Sequence, residues 1–126
     1  MYALIRIYEC KIMNETSTLD KPTIAEVTRL HADMCYALAD AKRILILYAL
    51  AEESQNVTDL ANQIKISQPT ASRHLKILRE RGLVTATRDG VNVEYRLTDY
   101  RLIEALNQLR TVLKDQLEHR ASLFQS

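Results

Sequence analysis

At 126 residues, 47% of them hydrophobic, the chain is long enough for one domain with a modest core and leaves little room for an enzyme cleft as well. Seventeen Lys and Arg against 16 acids give a net charge of +1, so any affinity for nucleic acid must come from a local patch and not from global charge. Two cysteines cannot build a disulfide scaffold and no run of about 20 apolar residues is present to span a membrane, so a reducing cytoplasm is the expected location.

Trp is absent and Phe occurs once, which points to an aliphatic, helix-rich core. Residues 1–22 read as an N-terminal extension and linker, and residues 23–126 as the domain proper. The first dozen residues, M-Y-A-L-I-R-I-Y-E-C-K-I, are apolar but broken by Arg6, Glu9 and Lys11, with no clear secretory cleavage site. Met13 followed by Asn14-Glu15-Thr16 has the look of a translation start, which would make the first twelve residues an upstream extension. N-terminal analysis of protein from its native host tests that.

Thr23 to Ala51 holds one or two helices, the first with Ile24, Val27, Leu30 and Met34 along one stripe. Glu52 to Asn56 has no apolar residue and is expected to be a solvated loop. Val57 to Ile64 is a short amphipathic helix, with Thr58 as its expected cap and Val57, Leu60, Ala61 and Ile64 facing inward. The two-residue turn Lys65-Ile66 leads to Ser67.

The segment from Ser67 to Gly82 carries the strongest signal. Ser67 is an N-cap residue, Pro69 falls in the first turn where its missing N–H costs little, and Gly82 supplies a left-handed stop. Ala71, Leu75 and Leu78 share one face, with Ile77 beside it. Left outside are Gln68, Thr70, Ser72, Arg73, Lys76, Arg79 and Arg81. The segment holds four cations against the single acid Glu80. Short polar residues at the front and cations behind suit a helix that enters the major groove by its N-terminal end. An ordinary solvated face can also be basic, but two short helices joined by so tight a turn form the helix-turn-helix pattern. Downstream, Leu83 to Arg88 and Val91 to Leu97 are strand-like around Asp89-Gly90, a hairpin signal. A two-stranded ribbon after such a helix is a wing, and Arg88 beside its tip is placed to meet a phosphate or a minor groove.

Thr98 or Asp99 to about Arg120 is a final helix with Leu102, Leu106, Leu109, Leu113 and Leu117 in one stripe. A domain of this size does not easily cover this stripe and the one on the first helix. A homodimer built from the first and last helices covers both; packing of both within one protomer is the alternative. The fold class is thus mainly α with a small β-hairpin: a winged helix-turn-helix with flanking dimerisation helices.

L-A-D-A-K-R-I-L-I-L at Leu38 to Leu47, S-Q-P-T-A-S-R-H-L at Ser67 to Leu75, and the hairpin ending in Tyr95-Arg96-Leu97 resemble winged-helix repressors of the ArsR type, over roughly residues 34–117. The resemblance implies a homodimeric repressor that binds a palindromic operator in double-stranded DNA and is released by an inducer. It puts Ser67, Gln68, Thr70, Ser72, Arg73, Lys76 and, on the wing, Arg88 at the DNA, and His74 at the base of the helix. Two metal sites used in the family lack their ligands here. Asn56 and Thr58 stand where one site has a Cys-x-Cys pair. In the other, Asp99 is kept, but Arg101 replaces a His, and Val112 and Asp115 fall at the later pair.

No cofactor is therefore expected. The soft ligands left are Cys10, Cys35, His31, His74 and His119. His31 and Cys35 are four apart, a workable chelating spacing, and His119 or Cys10 would have to complete such a site across the dimer. The plainer reading makes Cys35 a small buried side chain and His31 an exposed one. A thiol switch between Cys10 and Cys35 is a further alternative, and a small-molecule inducer stays open. Gly-rich phosphate loops, nucleophile elbows and His-Glu-x-x-His are absent, so no enzyme is expected. Two rivals remain: a protein-binding winged-helix adaptor, which should show acidic or apolar residues where Arg73, Lys76, Arg79 and Arg81 stand, and a MarR-like regulator, which usually has longer flanking helices.

Overall fold

The computed structural model describes residues 21–125, and the apolar lead segment, Met13 and Cys10 lie outside them. The first helix, α1 (Ile24–Leu30), opens with a reciprocal cap: Glu26 N–H donates to Thr23 Oγ1 at 3.2 Å, and Thr23 N–H donates to Glu26 Oε2 at 2.7 Å. It runs on into a π-helical turn, His31–Cys35. None of these residues is buried. Asp40 then caps α2 (Ala41–Glu52), accepting from the N–H groups of Lys42 at 2.8 Å and Arg43 at 3.4 Å.

Helix α3 (Val57–Ile64) is capped by Asn56, whose Oδ1 accepts from Asp59 N–H at 2.8 Å. The expected cap, Thr58, is instead an exposed residue of the first turn. Asn and Thr are both good caps, and the side chain that reaches the free N–H is the one just before the first helical residue. Lys65 ends α3 in the left-handed conformation, with φ of 64°. This permits the tight turn into α4 (Gln68–Glu80). Ser67 caps α4 through Thr70 N–H at 3.3 Å, and Pro69 lies in the first turn. Gly82, with φ of 78°, terminates the helix while Leu83 N–H returns to the Leu78 carbonyl at 2.9 Å.

Strands β1 (Val84–Asp89) and β2 (Asn92–Leu97) form an antiparallel hairpin in the register Val84↔Leu97 to Asp89↔Asn92. The turn is centred on Gly90-Val91, one residue later than the sequence pattern suggests. Only Gly90 takes a positive φ, 63°, which fits a turn with glycine at its first central position. Val91, expected to alternate with Val93 and Tyr95 inside a strand, is instead the fully exposed tip. Helix α5 (Arg101–Phe124) closes the order and runs one turn beyond the expected end.

Ile46 and Leu47 of α2, Leu60 of α3 and Leu75 and Leu78 of α4 are all at 0% exposure, and Val84, Ile103 and Leu106 complete the core. The one charged group in it, Arg43, donates to the carbonyls of Ala37 at 2.7 Å and Tyr36 at 3.0 Å. It thereby bonds carbonyls where the first helical segment ends, that of Tyr36 also accepting from Ala39 N–H at 3.3 Å. The segment Glu52–Asn56 corrects a second expectation, because Gln55 is buried. Its backbone exchanges hydrogen bonds with Tyr95, at 3.0 and 2.8 Å, and its side-chain amide donates to Gln63 Oε1 at 2.7 Å. A segment without apolar residues can go inside when its polar groups are all partnered. Here that partnering docks the wing onto the α2–α3 connection.

Candidate nucleic-acid interface

Helix α4 is two-sided. Ala71, Leu75 and Leu78 are completely buried, while Gln68, Ser72, Arg73, Lys76 and Arg79 are exposed and Thr70 is half-buried at the N-terminal end. Ser67 donates to Thr70 Oγ1 at 2.7 Å, and Arg73 Nη2 donates to the same oxygen at 3.3 Å. This relay lays the Arg73 guanidinium along the first two turns and ties up the Ser67 hydroxyl. The exposed end of α4 also carries the positive pole of its dipole, which favours anions, while Pro69 has no N–H and Ser67 Oγ takes that of Thr70. Arg88 is exposed on β1, opposite Val93 and one residue from the end of the strand.

His74 sits between these two sides, with a buried Nδ1 that has no hydrogen-bond partner. Burial, the largest cause, holds its pKa below the ordinary histidine value. The Asp40 carboxylate pulls the other way, and the charges of Arg43, Lys42 and Arg73 add to the depression. The ring is neutral at pH 7. Lys42, in the first turn of α2 and exposed, is thus a cation beside α4 that the linear pattern did not place there. Arg81 was grouped with the outward cations of α4, yet the fold occupies it elsewhere. Its Nη1 lies 3.1 Å from Asp33 Oδ1, and its guanidinium stacks 5.1 Å from the Tyr36 ring centroid.

The metal candidates are not brought together. No group of three or more His, Cys, Asp or Glu side chains able to hold an ion occurs among the described residues. His31 and Cys35 lie exposed at the two ends of the π turn, and His119 is exposed near the end of α5. Cys35 is therefore no buried apolar side chain, because the arm that carries it buries nothing. At the start of α5 both oxygens of Asp99 are taken by Arg101, at 3.1 and 2.7 Å, and these bonds hold its pKa down at about 2. A carboxylate neutralised by a guanidinium does not fit a metal ligand. No helix among the described residues is long and apolar enough to cross a membrane.

Residues 40–86, from the cap of α2 into β1, match the family described as bacterial regulatory protein, arsR family. The chain is 38% identical over 88 residues to the HTH-type transcriptional repressor SmtB of Mycobacterium tuberculosis, covering 70% of this chain and 65% of that one. The chain therefore spans a little under two thirds of that relative's length. It is 34% identical over 85 residues to the biofilm growth-associated repressor of Xylella fastidiosa, covering 68% of this chain and 75% of that one. The chain belongs to the arsR family. That family is one of regulators, not enzymes, and the match sets the MarR-like reading aside. Its fold is also that of a solved homodimeric winged helix-turn-helix DNA-binding domain from Mycobacterium bovis. That likeness has a TM-score of 0.67 at 28% identity and covers 82% of this chain and 95% of the other.

Proposed function

We propose that this arsR-family chain is a homodimeric repressor whose unit, residues 23–126, binds a palindromic operator and is released by an inducer that the sequence and fold do not identify. Ser67, Gln68, Thr70, Ser72, Arg73 and Lys76 of α4 would enter the major groove, and Arg88 of the wing would meet the backbone or minor groove. The observation that carries this reading is the division of α4: three completely buried aliphatic residues behind, and polar and cationic side chains in front. A protein-binding adaptor would need acidic or apolar groups on that front. Phosphate contacts from the cations supply affinity, and the short side chains and Arg73 discriminate base edges.

The dimer part rests on two uncovered apolar faces. Ile24, Val27 and Leu30 of α1 and Leu109, Leu113 and Leu117 of α5 are each at least half exposed in the protomer. Contiguous apolar patches of this kind mark protein interfaces. A dyad would place two α4 helices about one DNA turn apart, ~34 Å, or a multiple of it. The test is selection of binding sites from a random duplex pool at near-physiological salt with reduced protein. Enrichment of a two-fold palindrome is expected. Enrichment of nothing, with the dimer intact, would overturn the reading.

A further inference from the structure

The cluster around Arg81 has no part in DNA contact as described so far, and its position is unusual. Helix α1 and the π turn behind it carry an apolar face yet bury no residue against their own protomer. Apolar packing of that arm begins only at Ala37, which is completely buried. Side-chain polar contacts hold the arm before that point. Asp33 of the π turn bonds Arg81 at 3.1 Å, across 48 residues of sequence, and Arg29 approaches the same carboxylate at 3.5 Å. The Tyr36 ring meets two guanidinium groups, Arg81 at 5.1 Å and Arg43 at 5.6 Å from its centroid, and Arg43 is anchored on the Ala37 and Tyr36 carbonyls. Arg81 directly follows Glu80, the last residue of α4, and caps that helix.

We propose that the Asp33–Arg81 pair, backed by Tyr36, is a positioning strut that fixes the angle between the dimerisation arm and the DNA-reading helix. It would thereby set the half-site spacing that the dimer accepts. The inference rests on the dimeric operator-binding reading above. The partner protomer holds α1, and α4 holds DNA, so a joint between them decides where the second α4 falls. One extra base pair between half-sites moves the second by ~3.4 Å along the duplex and turns it by ~35°. A stiff joint rejects that displacement, and a slack one follows it.

The experiment uses the full-length protein and a set of operators whose spacer is shortened or lengthened by one and two base pairs. The wild type should disfavour a one-base-pair change by roughly tenfold, comparable to a mismatched base pair. Asp33→Ala should reduce that penalty to about threefold or less while still dimerising in sedimentation and binding a single half-site as wild type does. Asp33→Glu, which keeps the charge facing Arg81 and Arg29 and leaves Tyr36 its partner, should retain the penalty, a rescue by charge that a merely structural loss would not show. A spacer profile for Asp33→Ala identical to the wild type would overturn the strut and leave the operator reading standing. So would an Asp33→Glu profile as flat as that of Asp33→Ala. Wild-type protein without any spacing preference would also overturn the strut, whereas no preference for a two-fold palindrome over a single half-site would defeat the dimeric operator reading itself.

Discussion

Arg73 and Leu75 are two residues apart on α4, and replacing each by alanine should separate binding from folding. The Arg73 guanidinium is exposed, and its hydrogen bond, 3.3 Å to Thr70 Oγ1, lies within its own helix. Its removal should change stability by no more than about 0.5 kcal/mol, the usual range for a surface site. If Arg73 reads a base edge, each protomer loses ~1–3 kcal/mol, so a two-fold dimer loses ~2–6 kcal/mol on its operator. That loss corresponds to roughly 30-fold at the low end and effective abolition at the high end. Leu75 is at 0% exposure in the centre of the core. Leu75→Ala should cost ~3–5 kcal/mol, a large share of a total that is typically ~5–15 kcal/mol. Fluorescence anisotropy on the operator and on a scrambled duplex at one salt concentration measures the first effect. Urea denaturation at fixed protomer concentration measures the second, because a dimer's apparent stability depends on concentration. An unchanged operator-to-scrambled ratio in Arg73→Ala would remove Arg73 from readout. An unfolding midpoint as low as that of Leu75→Ala would show that Arg73 belongs to the structure and not to the surface.

Arg88→Ala should weaken all duplexes about equally and lower the salt slope of log K by roughly one unit per protomer; altered base preference at unchanged slope would make the wing a sequence reader. Leu113 is 56% exposed in the protomer, so Leu113→Glu should sediment as a folded monomer with poor operator affinity. A variant that remains dimeric would exclude this face of α5 from the interface. His74 binds its proton more weakly folded than unfolded, so its contribution is complete above the ordinary value of 6.5 and declines as pH falls through it. Urea midpoints should therefore drop as pH falls below the ordinary value of 6.5, and less so in His74→Gln; equal drops would acquit the histidine. Asp99 should titrate at about 2 against an ordinary 3.8, so the stability its pairing adds is complete above 3.8 and is lost as pH falls through about 2. Carboxyl NMR should show its midpoint move back up in Arg101→Ala, and a midpoint still near 2 would mean that Arg101 is not the cause.

Much of α4 is legible in the chain because its signals are local. Ser67, Pro69 and Gly82 act within one turn of where they stand, and the Ala71–Leu75–Leu78 stripe follows from helical period alone. The winged helix-turn-helix and the arsR family were readable for the same reason, since order and short spacing carry them. The limits of that legibility are equally specific. Asn56 and Thr58 are both competent caps, and the choice between them depended on where α3 starts. Asp89-Gly90 and Gly90-Val91 are both plausible turn centres by composition, and the register of the two strands chose the second.

What the sequence determined by itself is the order of the helix-turn-helix, hairpin and final helix, the Ser67 and Gly82 ends of α4 and which face of α4 is apolar, because these depend on residues within about four positions of each other. What only the tertiary structure decided is where the remaining polar groups go. Gln55 turned inward because Tyr95 and Gln63 meet it there, Arg43 was buried because the Ala37 and Tyr36 carbonyls accept from it, and Arg81 was drawn off the outward cations of α4 by Asp33, 48 positions away. Cys35 was left outside because the arm that carries it keeps its apolar face uncovered. A charged or amide side chain satisfies its hydrogen bonds with whatever group the fold brings within about 3 Å, and no local periodicity encodes that neighbour.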